Sequence, residues 1–116
     1  MIDAKQLRIG NWVKIDDLPT QVDKIDDDLM LYQGKLQPIE LSPTILERCG
    51  FEGGNGVHWL NTKENGVYYA WDEKTNSVNL YESSGEGGDY GVPITTLHHL
   101  QNSYYFNTGK ELILKL

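Results

Sequence analysis

The sequence predicts an α+β fold in a single domain over residues 1–116: a mainly antiparallel sheet, one short central helix at about 42–49, and a C-terminal helix at about 96–108 followed by a short strand. Three observations predict it. Several short runs alternate apolar and polar residues with a period of two, parted by acidic or glycine-rich turns, as half-buried strands do. Ser42-Pro43 and Gly50 frame one compact helix, with a cap, a first-turn proline and a glycine free to take positive φ. Thr95-Thr96 and Gly109 frame a second. A chain of 116 residues can bury a core without staples but has no room for a second folded domain, so any division is into a β part at 1–41 packed on an α+β part at 42–116.

Leu7-Arg8-Ile9-Gly10-Asn11-Trp12-Val13-Lys14-Ile15 alternates through Leu7, Ile9, Asn11, Val13 and Ile15, with Gly10-Asn11 as a bend or bulge. Asp16-Asp17-Leu18-Pro19 breaks that strand. Thr20 to Ile25, Leu29 to Tyr32 and Leu36 to Leu41 follow as strands, the first two parted by Asp26-Asp27-Asp28. Four short strands at this spacing suggest a curled N-terminal sheet of the SH3-like kind. In the central helix Ser42 is the N-cap, Pro43 the first turn, Gly50 the terminator, and Phe51 folds back on Leu46 in a Schellman ending. Ile45, Leu46 and Cys49 then face the core. After a turn at Glu52 to Gly56 come strands at Val57 to Asn61, Gly66 to Trp71 and Ser77 to Glu82, the last two a hairpin across Asp72 to Asn76. Ser83 to Gly91 is a glycine-rich connector, the terminal helix follows, and Glu111 to Leu116 closes the chain as a strand.

Composition excludes more than it selects. Ten Lys and Arg against seventeen Asp and Glu give a net charge of −7, which repels phosphate backbones and anionic membranes where no basic patch overrides it. Cys49 is the single cysteine, so no intrachain disulfide forms and a reducing compartment is the natural setting. No leader-like start and no apolar run of spanning length is visible, and the expected location is cytoplasmic. The acids of Asp16 to Asp28 do not make an EF-hand: counting from Asp23, the third position is Ile25 and the sixth Asp28, where an oxygen ligand and a glycine belong. The glycine-rich connector lacks a Lys-Ser or Lys-Thr end and carries Glu86 and Asp89, whose charge opposes a phosphate. No nucleophile elbow, zinc-protease helix, paired-cysteine cluster or dinucleotide fingerprint occurs. No cofactor, metal site or catalytic residue is therefore assigned.

The terminal helix carries two of the three histidines. Adjacent helical residues point about 100° apart, so His98 and His99 cannot chelate one ion, and Asn102 and Ser103 one turn on are poor zinc ligands. Wound as a helix, Leu97, Leu100 and Tyr104 form the core stripe. His98, Asn102 and Tyr105 make a neighbouring strip, while His99, Ser103 and Phe106 lie behind. Aromatic residues outside the core stripe mean either a helix wedged between two layers or a binding surface. The candidate interaction residues are accordingly His98, His99, Asn102, Tyr105 and Phe106, with Asp26, Asp27 and Asp28 as a separate acidic surface.

Leu7-Arg8-Ile9-Gly10-Asn11-Trp12-Val13, Pro38-Ile39-Glu40-Leu41-Ser42 running to Cys49-Gly50-Phe51, and Leu97-His98-His99-Leu100-Gln101-Asn102 running to Thr108-Gly109-Lys110-Glu111-Leu112 resemble, in the same order and around a variable middle, the small proteins of Bacteroidota phages, prophages and mobile elements. That family has no assigned catalytic residues, and its usual form has Gln at the position of His99. The resemblance implies a setting of mobile DNA in a host cytoplasm. The leading expectation is a non-enzymatic protein that binds a host or phage protein, for example by inhibiting a host defence factor. Two alternatives stand beside it: a small-molecule binder or enzyme with a pocket between sheet and C-terminal helix, and a nucleic-acid-binding accessory domain, which the net charge disfavours. The oligomeric state is left open.

Overall fold

The computed structural model describes residues 7–22, 36–54, 57–61, 67–82 and 93–114, with backbone alone at 54, 57, 61, 67 and 82. Among these residues the chain runs β1 (Trp12–Ile15), β2 (Leu18–Gln21), β3 (Leu36–Gln37), α1 (Pro43–Arg48), β4 (Glu52–Gly54), β5 (Val57–Asn61), β6 (Val67–Asp72), β7 (Ser77–Glu82) and α2 (Leu97–Thr108). One antiparallel sheet has the order β2-β1-β3 and another the order β4-β5-β6-β7. The class is α+β, as the patterning predicts.

The small sheet departs from expectation at its turns. Ile15 lies opposite Leu18, so Asp16-Asp17 alone closes the hairpin, at φ 52 and 65. Two left-handed residues make a turn whose twist matches the strands, and aspartate tolerates that region better than most side chains. The strand expected from Thr20 therefore starts at Leu18 and ends at Gln21. Pro19 faces Lys14 one step from the closing pair, where a residue's N–H points away from its partner, so the missing donor costs no ladder bond. The expected strand at Leu29 to Tyr32, the remaining one of the four, and the Asp26-Asp27-Asp28 turn lie outside the described residues. Leu36 to Leu41 is not one strand. Leu36-Gln37 pairs with β1, Pro38 intervenes, and Glu40 pairs instead with Thr96.

That exchange joins the two halves. Leu41 N–H donates to Thr95 O at 3.0 Å and Leu97 N–H to Ile39 O at 2.8 Å. Ile94 in turn pairs with Val78 of β7, so residues 94–97 bridge the four-stranded sheet to the strand that continues into the three-stranded one. Thr96 is the N-cap of α2 but makes no side-chain cap bond. The neighbouring strand satisfies the first of the helix's orphan amides, that of Leu97.

The helix α1 ends as the sequence predicts. The Ser42 hydroxyl accepts from Ile45 N–H at 3.3 Å. Gly50 N–H reaches Glu47 O at 3.1 Å and Phe51 N–H reaches Leu46 O at 3.0 Å, both bonds of a Schellman ending. Leu46, Cys49 and Phe51 are buried with Tyr69, Val78, Leu97 and Leu100 in the main core. A second, smaller cluster of Leu7, Val13, Val22 and Leu36 fills the inner side of the three-stranded sheet. Both helices cover one face of the large sheet: Tyr69 Oη meets Ser103 Oγ of α2 at 2.9 Å, and His58 meets Glu47 of α1 at 3.3 Å.

Two further expectations are corrected. Glu52 to Gly54, read as part of a turn, is strand β4, with Glu52 opposite Trp59; glycines carry no alternation by which a strand could be recognised. Residues 111–114 form no strand, although Leu112 is buried and Ile113 is 84 % exposed. Their alternation records packing against the core, without a ladder.

Gly50 sits at φ 90 and a Cβ there would meet nothing within 4 Å. Gly50→Ala should therefore cost only the left-handed backbone term, about 1 kcal/mol, read as a lower urea midpoint with an unchanged slope.

Candidate functional site

The N-terminal segment, the terminal helix and the residues after it meet at one seam. Leu7 is buried, but Ile9 is 61 % exposed, because a turn at Ile9-Gly10 interrupts the alternation expected there. Gly10 takes φ 98. Its N–H donates to Val22 O at 2.7 Å, and Val22 N–H donates to Asn11 O at 2.8 Å, which ties the turn to the end of β2. Asn11 is not part of an apolar face. Its fully buried carboxamide accepts from Arg8 N–H at 2.7 Å and donates to Asn102 Oδ1 at 2.9 Å.

Gln101 is the matching group on α2. Its side chain, 2 % exposed, accepts from Trp12 N–H at 2.8 Å and donates to Gly10 O at 2.9 Å. Buried peptide groups that lack a partner are costly, and here one carboxamide completes two of them. Arg8 then spans the outside of the seam. Its Nε donates to Asn102 Oδ1 at 2.7 Å, Nη1 to Glu111 Oε1 at 2.7 Å, and Nη2 to Gln101 O at 3.2 Å. The guanidinium lies 4.4 Å from the centroid of the Tyr105 ring, within cation–π range. All three nitrogens are engaged, so Arg8 orients and presents the aromatic ring; an incoming anion would have to displace Glu111.

Asn102, Tyr105 and Phe106 share one helix surface by their spacing of three and four. Tyr105 is 44 % and Phe106 88 % exposed. Ile9 and Ile113, both exposed, follow Arg8 directly and stand two residues past Glu111 in sequence. The seam is thus a hydrogen-bonded base carrying apolar side chains outward, with the arginine and aromatic content that marks interface centres. Of the residues expected to interact, Asn102 and Tyr105 are brought against Arg8, and Phe106 stands exposed next to Tyr105 in sequence. His99 is exposed and His98 is buried; Asp26, Asp27 and Asp28 lie outside the described residues. Arg8, Asn11, Gln101 and Glu111 were not expected. Each is separated from a partner by about ninety residues or more, a range at which no local pattern carries a signal.

Other reactive groups are held in packing roles. Burial pushes the Cys49 thiol up to about 12, which suppresses the thiolate a nucleophile requires. Tyr69 is raised chiefly by burial, against the hydrogen bonds from Ser103 and Asn107 that favour its ionised form. His58 approaches Glu47 through Nε2, while its Nδ1 is buried without a partner. Among the described residues no group of three or more His, Cys, Asp or Glu side chains is placed to hold a metal, and no helix is long and apolar enough to cross a membrane. Two cavities, of about 810 and 460 Å³, lie against α1 and its flanks, away from the space between sheet and α2 where a ligand pocket was expected.

Gln101→Ala strips Trp12 N–H of its partner and leaves Gly10 O with Gln21 Nε2 alone, at 3.2 Å. It should cost about 1–3 kcal/mol in urea unfolding, whereas Arg8→Ala, which removes a partly exposed ion pair, should cost about 1 kcal/mol or less. His98 is held below the ordinary imidazole value of 6.5 by burial first and by neighbouring His99 second. A lowered value means that the unfolded chain takes up the proton more readily. The stability linked to His98 is therefore complete above about pH 6.5 and is lost as the pH falls toward its folded value. His98→Gln should flatten the acid limb of stability against pH, and an unchanged limb would contradict this assignment. Compared with protein-family models, curated proteins and solved structures, the chain matches none.

Proposed function

We propose that the protein is a non-enzymatic interaction protein, carried by a phage or mobile element, that binds a host protein in the cytoplasm and inhibits a defence factor. The observation that carries this reading is Phe106, 88 % exposed beside Tyr105 on a helix whose opposite side is anchored in the core. Large apolar side chains left in water on a rigid support are what protein interfaces use as anchors. The support is rigid because Gln101 and Asn102 fix α2 to the N-terminal turn. The blocks that resemble the mobile-element family supply that seam: Leu7 to Val13 provides Arg8 and Asn11, and Leu97 to Leu112 provides the rest.

The test is affinity capture from a Bacteroidota lysate with a pulse of crosslinker. The wild-type protein should enrich one partner saturably, and Tyr105→Ala with Phe106→Ala should release it. Phe106→Ala alone should change folding stability by less than about 0.5 kcal/mol, as exposed substitutions do, so loss of capture would report the surface. Absence of a saturable partner, or equal capture by the double variant, would overturn the proposal. The Asp26-Asp27-Asp28 surface is separated from the aromatic one by salt: binding through it weakens steeply as ionic strength rises.

A further inference from the structure

The strand segment around Glu40 has one side paired and one side open. Glu40 and Thr96 face each other, while the flanking bonds run from Leu41 N–H to Thr95 O and from Leu97 N–H to Ile39 O. In an antiparallel pair this pattern turns the N–H and C=O of the central residue away from its partner. The Glu40 backbone groups therefore point outward, and Glu40 is exposed. Ser42, extended at φ −148 and ψ 161, presents its N–H on the same side two residues on. Neither the Glu40 groups nor Ser42 N–H bonds to another backbone group among the described residues.

Both cavities are built on this edge. The larger, about 810 Å³, combines Glu40 and Ser42 with an apolar floor of Pro19, Pro38, Ile39 and Ile45. The smaller, about 460 Å³, combines the same two residues with Trp71 and Thr95. Lys14 and Asp17 stand at the first.

We propose that an extended segment of another polypeptide docks here by strand addition. Its main chain pairs with Glu40 and Ser42, and an aliphatic side chain enters the larger cavity. Unpaired backbone donors and acceptors select a peptide over a small molecule, because only a second main chain satisfies both at strand spacing. Cavities of this size suit single side chains or short stretches of them. Lys14 and Arg48 balance Asp17 and Glu40 around the larger cavity, so an uncharged segment fits it best, with no charge to desolvate. This goes beyond the role proposed above, since the edge uses neither Tyr105 nor Phe106.

The probe is a library of short random-sequence peptides displayed against the full chain, followed by titration of the strongest binder. The Glu40 and Ser42 amide resonances should shift and gain protection from exchange with solvent. Glu40→Pro removes the outward N–H at a site where no intramolecular bond is lost, and should weaken binding about tenfold or more. Glu40→Ala keeps the N–H and should stay within about twofold. Thr44→Arg, at an exposed position on the wall of the larger cavity, should weaken binding by filling it; if Glu40→Pro fails to fold, this variant and the amide protection decide the matter. Selection of no binder would overturn the proposal, as would equal affinity for Thr44→Arg and wild type. A peptide lost on Phe106→Ala and indifferent to Thr44→Arg would also overturn it, while leaving the aromatic surface standing.

Discussion

The buried carboxamide of Gln101 is the constraint on which the rest of the molecule depends. It is the sole side chain, among the described residues, that bonds both Trp12 N–H and Gly10 O, peptide groups that sit where β1 begins. With those bonds made, the N-terminal turn has one position relative to α2. Asn11 can then meet Asn102, and Arg8 can reach across to Glu111. Without them Trp12 N–H would go unpaired and Gly10 O would keep only Gln21 Nε2, at 3.2 Å; an unpaired donor away from water costs more than the net gain from an ordinary hydrogen bond. Because each polar group in the seam has its partner fixed by another, the cluster behaves as a network whose parts strengthen one another.

Much of the fold was legible where a side chain's role is settled within a few residues of it. Ser42, Pro43 and Gly50 specify α1 to its last bond, and Asp72 to Asn76 specify the β6–β7 hairpin, where Lys74 N–H folds back on Asp72 Oδ1 at 2.9 Å. The failures have a common cause. Thr96 stands at the N-cap without a side-chain bond, and the first helical amide is met instead by Ile39 O, more than fifty residues earlier. Glu111 to Leu114 alternated like a strand, yet they pair with no strand among the described residues. Asp16-Asp17 looked like the start of a long break, although two left-handed aspartates close a hairpin without one. In each case the deciding partner was distant, or the residue occupied a conformation rare for its type.

The site was legible in part for the same reason. Helical periodicity placed Leu97 and Leu100 inside and Phe106 outside, as they are found. It set His98 beside Asn102 and Tyr105, but could not tell that His98 is buried, because that depends on what packs against a second side of α2. Arg8 was one basic residue among ten. What distinguishes it is a set of partners 93 to 103 positions away, and only the folded chain brings those together.

The bond from Arg8 to Glu111, across 103 residues, has a consequence for synthesis. Chain emerges from the ribosome in order, so the turn around Gly10 exists long before Gln101 and Glu111 are made. Until then Trp12 N–H has only water for a partner. Contacts of such long reach form late and slow the search for the native state. The final turns of α2 must leave the exit tunnel before the turn around Gly10 can settle, so a segment translated later decides when an earlier one folds.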